Sequence, residues 1–266
     1  MSNLNLWRHN PMQTQPLPNS AEARSASRTT RPLLRIVVLN TKGGCGKTTL
    51  STNLAGYYAS HAFQTALLDL DPQGSSLRWL ANRGQKHPAV TGIQGVERGG
   101  RVTRSFQQRI PPATERLIVD TPAGLEPIRL QDVTRGADAI VIPVLPSDID
   151  IHAASRCIAD LLIAGRIERR SERVAVVANR VKKNTQMYEK LKRFLDSLEI
   201  PFVAAFRDTQ NYIHASEQGI GVHELEARNA REDIRELNRL IDWIESRQQL
   251  PAAPIQDSGS LSSRVI

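Results

Sequence analysis

Cysteine is scarce in this chain. Its 266 residues hold two, Cys45 in a glycine-rich stretch and Cys157 on an expected helix. That number and spacing exclude a disulfide framework and a cysteine-built metal cluster, and they fit a reducing compartment. Long apolar runs are missing too. None approaches the ~18 residues of a membrane-spanning helix, and the opening MSNLNLWRHN lacks the apolar stretch of a secretory signal. Acid is in deficit, 27 Asp and Glu against 35 Lys and Arg, for a net charge of +8. A basic balance attracts polyanions, so nucleic acid is the first partner class to expect.

Residues 1–32 contain Pro11, Pro16, Pro18 and Pro32, the basic residues Arg8, Arg24, Arg28 and Arg31, and the single acid Glu22. So little apolar surface cannot offset the entropy of ordering, and a disordered basic tail is expected. Residues 249–266 read as a second flexible tail, leaving 33–248 as a single domain. Within it, apolar runs at 34–40, 65–71, 116–122, 138–144, 173–179 and 201–206 read as strands. Helical patterns fall between most of them: from the glycine-rich loop to about Tyr58, around SLRWLANR, and near 127–135, 150–165 and 186–198. Strands rich in Val, Ile and Leu that alternate with helices imply an α/β fold, a doubly wound and mostly parallel sheet covered on both faces. Ligands of such sheets bind at the carboxyl ends of the strands. Asn40, Asp71 and Asp120 stand at that edge.

A last helix is expected over 224–247, with Ile234, Leu237, Ile241 and Ile244 as its apolar stripe. Arg228, Arg231, Arg235 and Arg239 recur on another face, interleaved with Glu232, Asp233 and Glu236. That interleaving, with Arg228 and Glu232 as an i,i+4 pair, reads as ordinary surface patterning.

The stretch LNTKGGCGKTTLS (39–51) carries the chemistry. It follows a strand and opens a helix, the context that makes a phosphate-loop pattern specific. Gly43, Gly44 and Gly46 let the backbone approach a ligand closely and aim its N–H groups inward, and the helix N-terminus adds partial positive charge. Lys47 is placed to reach the β- and γ-phosphates and Thr48 to put its hydroxyl on Mg²⁺. One departure stands out. Thr41 occupies the position of the first glycine, with a second lysine, Lys42, beside it.

KGGCGKTT (42–49) resembles the deviant Walker A loop of the ParA/MinD group of ATPases. DLDPQGS (69–75) resembles that group's second acidic motif, and IVDTPAG (118–124) its Walker B motif, in family order. The resemblance covers roughly 34–247 and is nearest to the small single-domain ParA type. It implies a P-loop NTPase fold with ATP and Mg²⁺ as ligands and a homodimer that sandwiches two ATP molecules. Lys47 then acts in cis, and Lys42 reaches the nucleotide of the other subunit in trans, as an arginine finger does. The resemblance places Gly43, Gly44, Cys45, Gly46, Thr48 and Thr49 around the phosphates, and Asp120 with Thr48 on the metal. It gives Asp71 the attacking water, Asp69 a supporting or strand-capping role, and Asn179 the adenine edge.

A switchable dimer is useful if it binds something. RVKKNTQMYEKLKR (180–193) supplies Arg180, Lys182, Lys183, Lys190, Lys192 and Arg193 against the one acid Glu189, and it is the favoured surface for non-specific DNA. The arginine face of the last helix and the basic tail are the other candidates. No helix-turn-helix module is visible. The family resemblance therefore implies a cytoplasmic, nucleoid-associated ATPase that positions a cargo, either a protein body such as a carboxysome or chemoreceptor cluster, or a plasmid or chromosome. A cargo-bound adaptor would stimulate hydrolysis. Two alternatives share the fold: a MinD-like membrane-surface ATPase, which needs a terminal amphipathic anchor that the termini do not provide, and a small-molecule ligase or kinase.

Overall fold

The computed structural model describes residues 31–95, 109–165, 167, 172–182, 184–197 and 200–247. The chain divides into two units, Met1–Arg31 and Pro32–Ile266. Apart from Arg31 and Pro32, the expected tails at 1–32 and 249–266 lie outside the described residues, as does Lys183.

Among the described residues seven strands form one sheet: β1 (Leu34–Val38), β2 (Thr65–Asp69), β3 (Thr91–Gln94), β4 (Arg116–Asp120), β5 (Ala139–Val144), β6 (Val174–Val181) and β7 (Phe202–Arg207). Their order is β3-β2-β4-β1-β5-β6-β7, and each neighbouring pair is parallel. The doubly wound parallel sheet expected from the sequence is therefore present. β1 lies at the centre, with the chain winding outward first on one side and then on the other. Such a switch point leaves a crevice at the carboxyl edge, and the loop after β1 opens into it.

The helices are α1 (Lys47–Ser60), α2 (Ser75–Asn82), α3 (Pro127–Thr134), α4 (Asp148–Ile163), α5 (Gln186–Ser197), α6 (Asn211–Glu217) and α7 (Ala227–Ser246). Alternate residues of the central strands enter opposite cores. Val37, Leu68, Val119 and Ile142 face the core that holds Leu130, Ile158 and Leu191 from α3, α4 and α5. Ile36, Val38, Ile118 and Val141 face the other, with Leu54 and Tyr58 of α1 and Leu237, Leu240 and Ile244 of α7. Strands covered on both sides must be apolar throughout, which is why their sequences run without polar alternation.

Register fixes the chemistry. Val38, the last residue of β1, is level with Asp120, and Asp120 is level with Asp69. Two carboxylates and the start of the glycine-rich loop thus reach the same edge by strand pairing alone. β3 is an addition that the sequence pattern did not disclose. Only Ile93 of its four residues is buried, so no apolar run marks it.

Candidate functional site

The loop between β1 and α1 turns on two left-handed glycines, Gly44 at φ +76° and Gly46 at φ +99°. Gly46 opens α1, which has no side-chain cap and no acidic residue in its first turn. Its leading N–H groups are left for an anion. By contrast, α4 is capped by Ser147, which accepts from the backbone N–H of Asp150. Gly43 backs onto Ala123 of the loop after β4, and the N–H of Gly124 donates to the carbonyl of Thr41 at 2.8 Å. The loops after β1 and β4 are thereby tied to each other.

The two lysines are placed differently. Lys47 is buried at 7% exposure, and its Nζ donates to the carbonyl oxygen of Lys42 at 2.9 Å. Its charge is held inside the loop. Lys42 is half-buried, and its backbone N–H donates to Asn40 Oδ1 at 2.9 Å. Asn40 is anchored in turn by its Nδ2 on the carbonyl of Pro143 in β5. The ammonium of Lys42 makes no hydrogen bond or ion pair among the described residues.

Asp120 is fully buried and accepts from Thr48 Oγ1 at 2.8 Å and from Ser51 Oγ at 3.1 Å. Burial pushes its carboxyl up to about 7, with the charge of Asp69 adding to the rise, while the two hydroxyls and Lys47 oppose it. A carboxylate this costly to ionise in a closed site suits a cation partner. Thr48 and Asp120 could supply the sparse oxygen set that Mg²⁺ takes alongside phosphate and water. Asp69 is buried and organises the β2–α2 loop, accepting the N–H of Asp71 at 3.0 Å and of Leu77 at 3.2 Å. Asp71 is half-buried, and its Oδ1 accepts the N–H of Gln73 at 2.9 Å. That turn fixes the carboxylate and leaves its second oxygen available.

Cys45 is buried, and its Sγ donates to the carbonyl of Lys42 at 3.3 Å. Burial raises its thiol, so it is a packing group and not a nucleophile. Trp79 is likewise a packing residue, with its Nε1 donating to Ile220. Asn179 stands at the rim of a cleft of about 290 Å³, open mouth included, that runs from Gly46 and Thr49 to Phe206 and Tyr212. Its Nδ2 donates to the carbonyl of Cys45 at 2.8 Å, and its Oδ1 accepts the N–H of Arg180 at 3.0 Å. Asn179 therefore braces the phosphate loop, and each end of its amide retains one further valence. Sequence reasoning did not anticipate that brace, nor Ser51. The signal for Ser51 was its place one turn after Thr48 on α1.

The expected nucleic-acid cluster is partly self-neutralised. Lys182 lies 3.9 Å from Asp208, Lys190 pairs with Asp148, and Lys192 lies 3.9 Å from Glu189. Arg180 is exposed in a left-handed conformation at φ +51°.

A glycine loop that opens a helix at the switch point of a parallel sheet, with a lysine inside it and carboxylates on the adjoining strands, defines a nucleotide hydrolase of the P-loop class. A family model described as the CobQ/CobB/MinD/ParA nucleotide binding domain matches residues 36–222. The chain belongs to that family, and it is an ATPase that takes ATP with Mg²⁺. Among its relatives is the maintenance of carboxysome distribution protein A of Halothiobacillus neapolitanus, 27% identical over 79% of this chain and 95% of that protein. The protein of the same name from Gloeobacter kilaueensis is 29% identical over 79% of this chain and 93% of that one. Similar solved structures include a variant McdA–ATP complex from Cyanothece, with a TM-score of 0.60 at 15% identity over 80% of this chain and 97% of the other. The MinD cell division protein of Aquifex aeolicus superposes with a TM-score of 0.61 at 18% identity over 83% and 100%. At these identities the structural likeness is one of fold.

Proposed function

We propose that this chain is an ATP-governed pairing switch that binds nucleic acid without sequence preference and positions an intracellular cargo. The observation that carries the proposal is the division of the two loop lysines. Lys47 is turned inward on the loop, whereas the ammonium of Lys42 has no partner among the described residues. A cation so placed beside a phosphate loop is suited to serve the nucleotide of a second copy.

In this scheme Lys47, the loop N–H groups and the start of α1 hold the phosphates. Thr48 and Asp120 hold Mg²⁺, which neutralises charge on the β- and γ-phosphate oxygens. Asp71, fixed by its turn with Gln73, orients the attacking water. Lys42 of the second copy stabilises charge on the transferred phosphoryl group. As a point charge it should give the lower end of the ~10³–10⁵-fold range of an arginine finger. Asn179 keeps the loop in register with the base side and offers its remaining N–H to the adenine edge. Two relatives named for carboxysome distribution, each matched over most of its length, support a protein body as cargo, with an adaptor on that cargo that stimulates hydrolysis.

The test is ATP hydrolysis measured alone, with a duplex of arbitrary sequence, and with anionic vesicles. The proposal expects a basal rate below the ~1 s⁻¹ of slow ordinary enzymes, ATP-dependent binding to duplex, and no flotation with vesicles. Fast turnover indifferent to duplex would instead indicate a small-molecule enzyme on the same fold. Flotation would indicate a membrane-surface ATPase.

A further inference from the structure

By sequence α7 is close to charge-balanced. Arg228, Arg231, Arg235 and Arg239 stand against Glu232, Asp233, Glu236, Asp242 and Glu245. In the fold the two signs separate. Asp233 is fully buried and accepts from the Arg207 guanidinium and from Asn211 Nδ2. Glu236 is buried, and its Oε2 accepts the N–H of Ala205 in β7 at 3.0 Å. Glu245 holds the buried guanidinium of Arg116, with Nη2 2.8 Å from Oε2. Glu232 meets Arg207 Nη1 at 3.1 Å. Four of the five acids are thus committed to the sheet or to its arginines. The four arginines of the helix are exposed. Arg228, Arg231 and Arg235 make no hydrogen bond or ion pair among the described residues, and Arg239 touches Glu236 only at 3.3 Å with its side chain 60% exposed.

At 3.6 residues per turn the four arginines fall within an arc of about 80°, and at 1.5 Å per residue they span about 16 Å. With phosphates every ~3.4 Å of axis along one strand, that length runs beside about five of them. We infer that the outer face of α7 is a contact surface for the phosphate backbone of nucleic acid. The inference rests on the nucleic-acid part of the proposed function and assigns it a surface. Guanidinium forks match phosphate oxygens in pairs, and such contacts hold a backbone without reading bases. A lipid surface fits less well. A membrane-lying helix needs a free apolar face, whereas Leu237, Leu240 and Ile244 of α7 are buried in the core. The neighbours of the arginines on the outer side are the exposed Asn229, Asn238 and Asp242 and the half-buried Glu232, which is turned to Arg207. Arg207 ties this helix to β7 and is level with Val181 in β6, the residue between Arg180 and Lys182. The 180–193 segment is not the centre of this surface: Leu191 of α5 packs in the core on the opposite face of the sheet from α7, and Lys182, Lys190 and Lys192 already face Asp208, Asp148 and Glu189.

The test compares the full chain with Arg231→Gln/Arg235→Gln and with Lys190→Gln/Lys192→Gln, all with ATP and Mg²⁺. Affinity for a duplex of arbitrary sequence is measured from ~50 to ~200 mM salt, and for vesicles of phosphatidylglycerol and phosphatidylcholine in parallel. Unchanged thermal midpoints confirm folding. Each phosphate contact contributes ~0.9 to the log–log salt slope, so the arginine pair should flatten it by about 1.8, while the lysine pair should change it by less. Equal slopes for the arginine variant and the unaltered chain, or a loss confined to the lysine variant or to vesicle binding, would overturn the surface alone. Failure of the unaltered chain to bind duplex at all would overturn the nucleic-acid reading and the inference with it.

Discussion

Gly46→Ala puts a number on how tightly the phosphate loop is built. Gly46 stands at φ +99°, where an L side chain is strained. A Cβ there would fall 2.0 Å from Asn179 Nδ2 and 3.2 Å from its Cγ. Asn179 would have to swing away and give up its 2.8 Å hydrogen bond to the carbonyl of Cys45. Strain of about 1–2 kcal/mol and about 1 kcal/mol for the broken bond sum to about 2–3 kcal/mol. For a domain of this size that lowers Tm by roughly 5–10 °C, as read by scanning calorimetry. The double variant Gly46→Ala/Asn179→Ala separates the two contributions. With the amide removed the clash disappears, so the pair should cost about 1 kcal/mol less than the sum of the singles. A Gly46→Ala Tm equal to that of the unaltered chain, or strict additivity, would refute the close approach of Asn179 to the loop.

Three further outcomes are expected. Asp71→Ala should keep ATP affinity and lose about 10²-fold or more in single-turnover hydrolysis; an unchanged rate would remove Asp71 from the reaction. Arg116→Ala should cost about 3 kcal/mol in denaturant unfolding, because a buried guanidinium packed 4.1 Å from the Phe63 ring and paired with Glu245 is lost. Burial pushes His223 down to about 4 from 6.5. The folded state therefore prefers the neutral ring, and the associated stability, about 3 kcal/mol, is present above pH 6.5 and lost as pH falls toward 4. His223→Leu should flatten that part of the stability–pH curve, and an identical acid limb would contradict the assignment.

The sequence made the site legible because its parts are local or set by strand ends. An apolar run, a glycine turn and a helix are contiguous in 34–58. Asp120 and Asp69 end apolar runs, so strand pairing alone brings them level. What escaped depends on contacts distant in sequence. β3 has one buried residue and exists because it pairs with β2. The seven residues of α6 include one buried side chain, Ala215, too few for a helical period to register. The brace from Asn179 to Cys45 joins positions 134 residues apart. On α7 the interleaved charges suggest a neutral face, and only the position of β7 decides that Asp233 and Glu236 turn inward while the arginines stay out.

The central claim is that one copy lends Lys42 to the nucleotide of another. Sedimentation velocity with a non-hydrolysed ATP analogue and Mg²⁺ tests it most directly, comparing the unaltered chain with Lys42→Ala and measuring analogue affinity for both. The account predicts a dimer for the first, a monomer for the second, and similar affinities. A Lys42→Ala dimer of undiminished stability, or a monomer of the unaltered chain at saturating analogue, would contradict it.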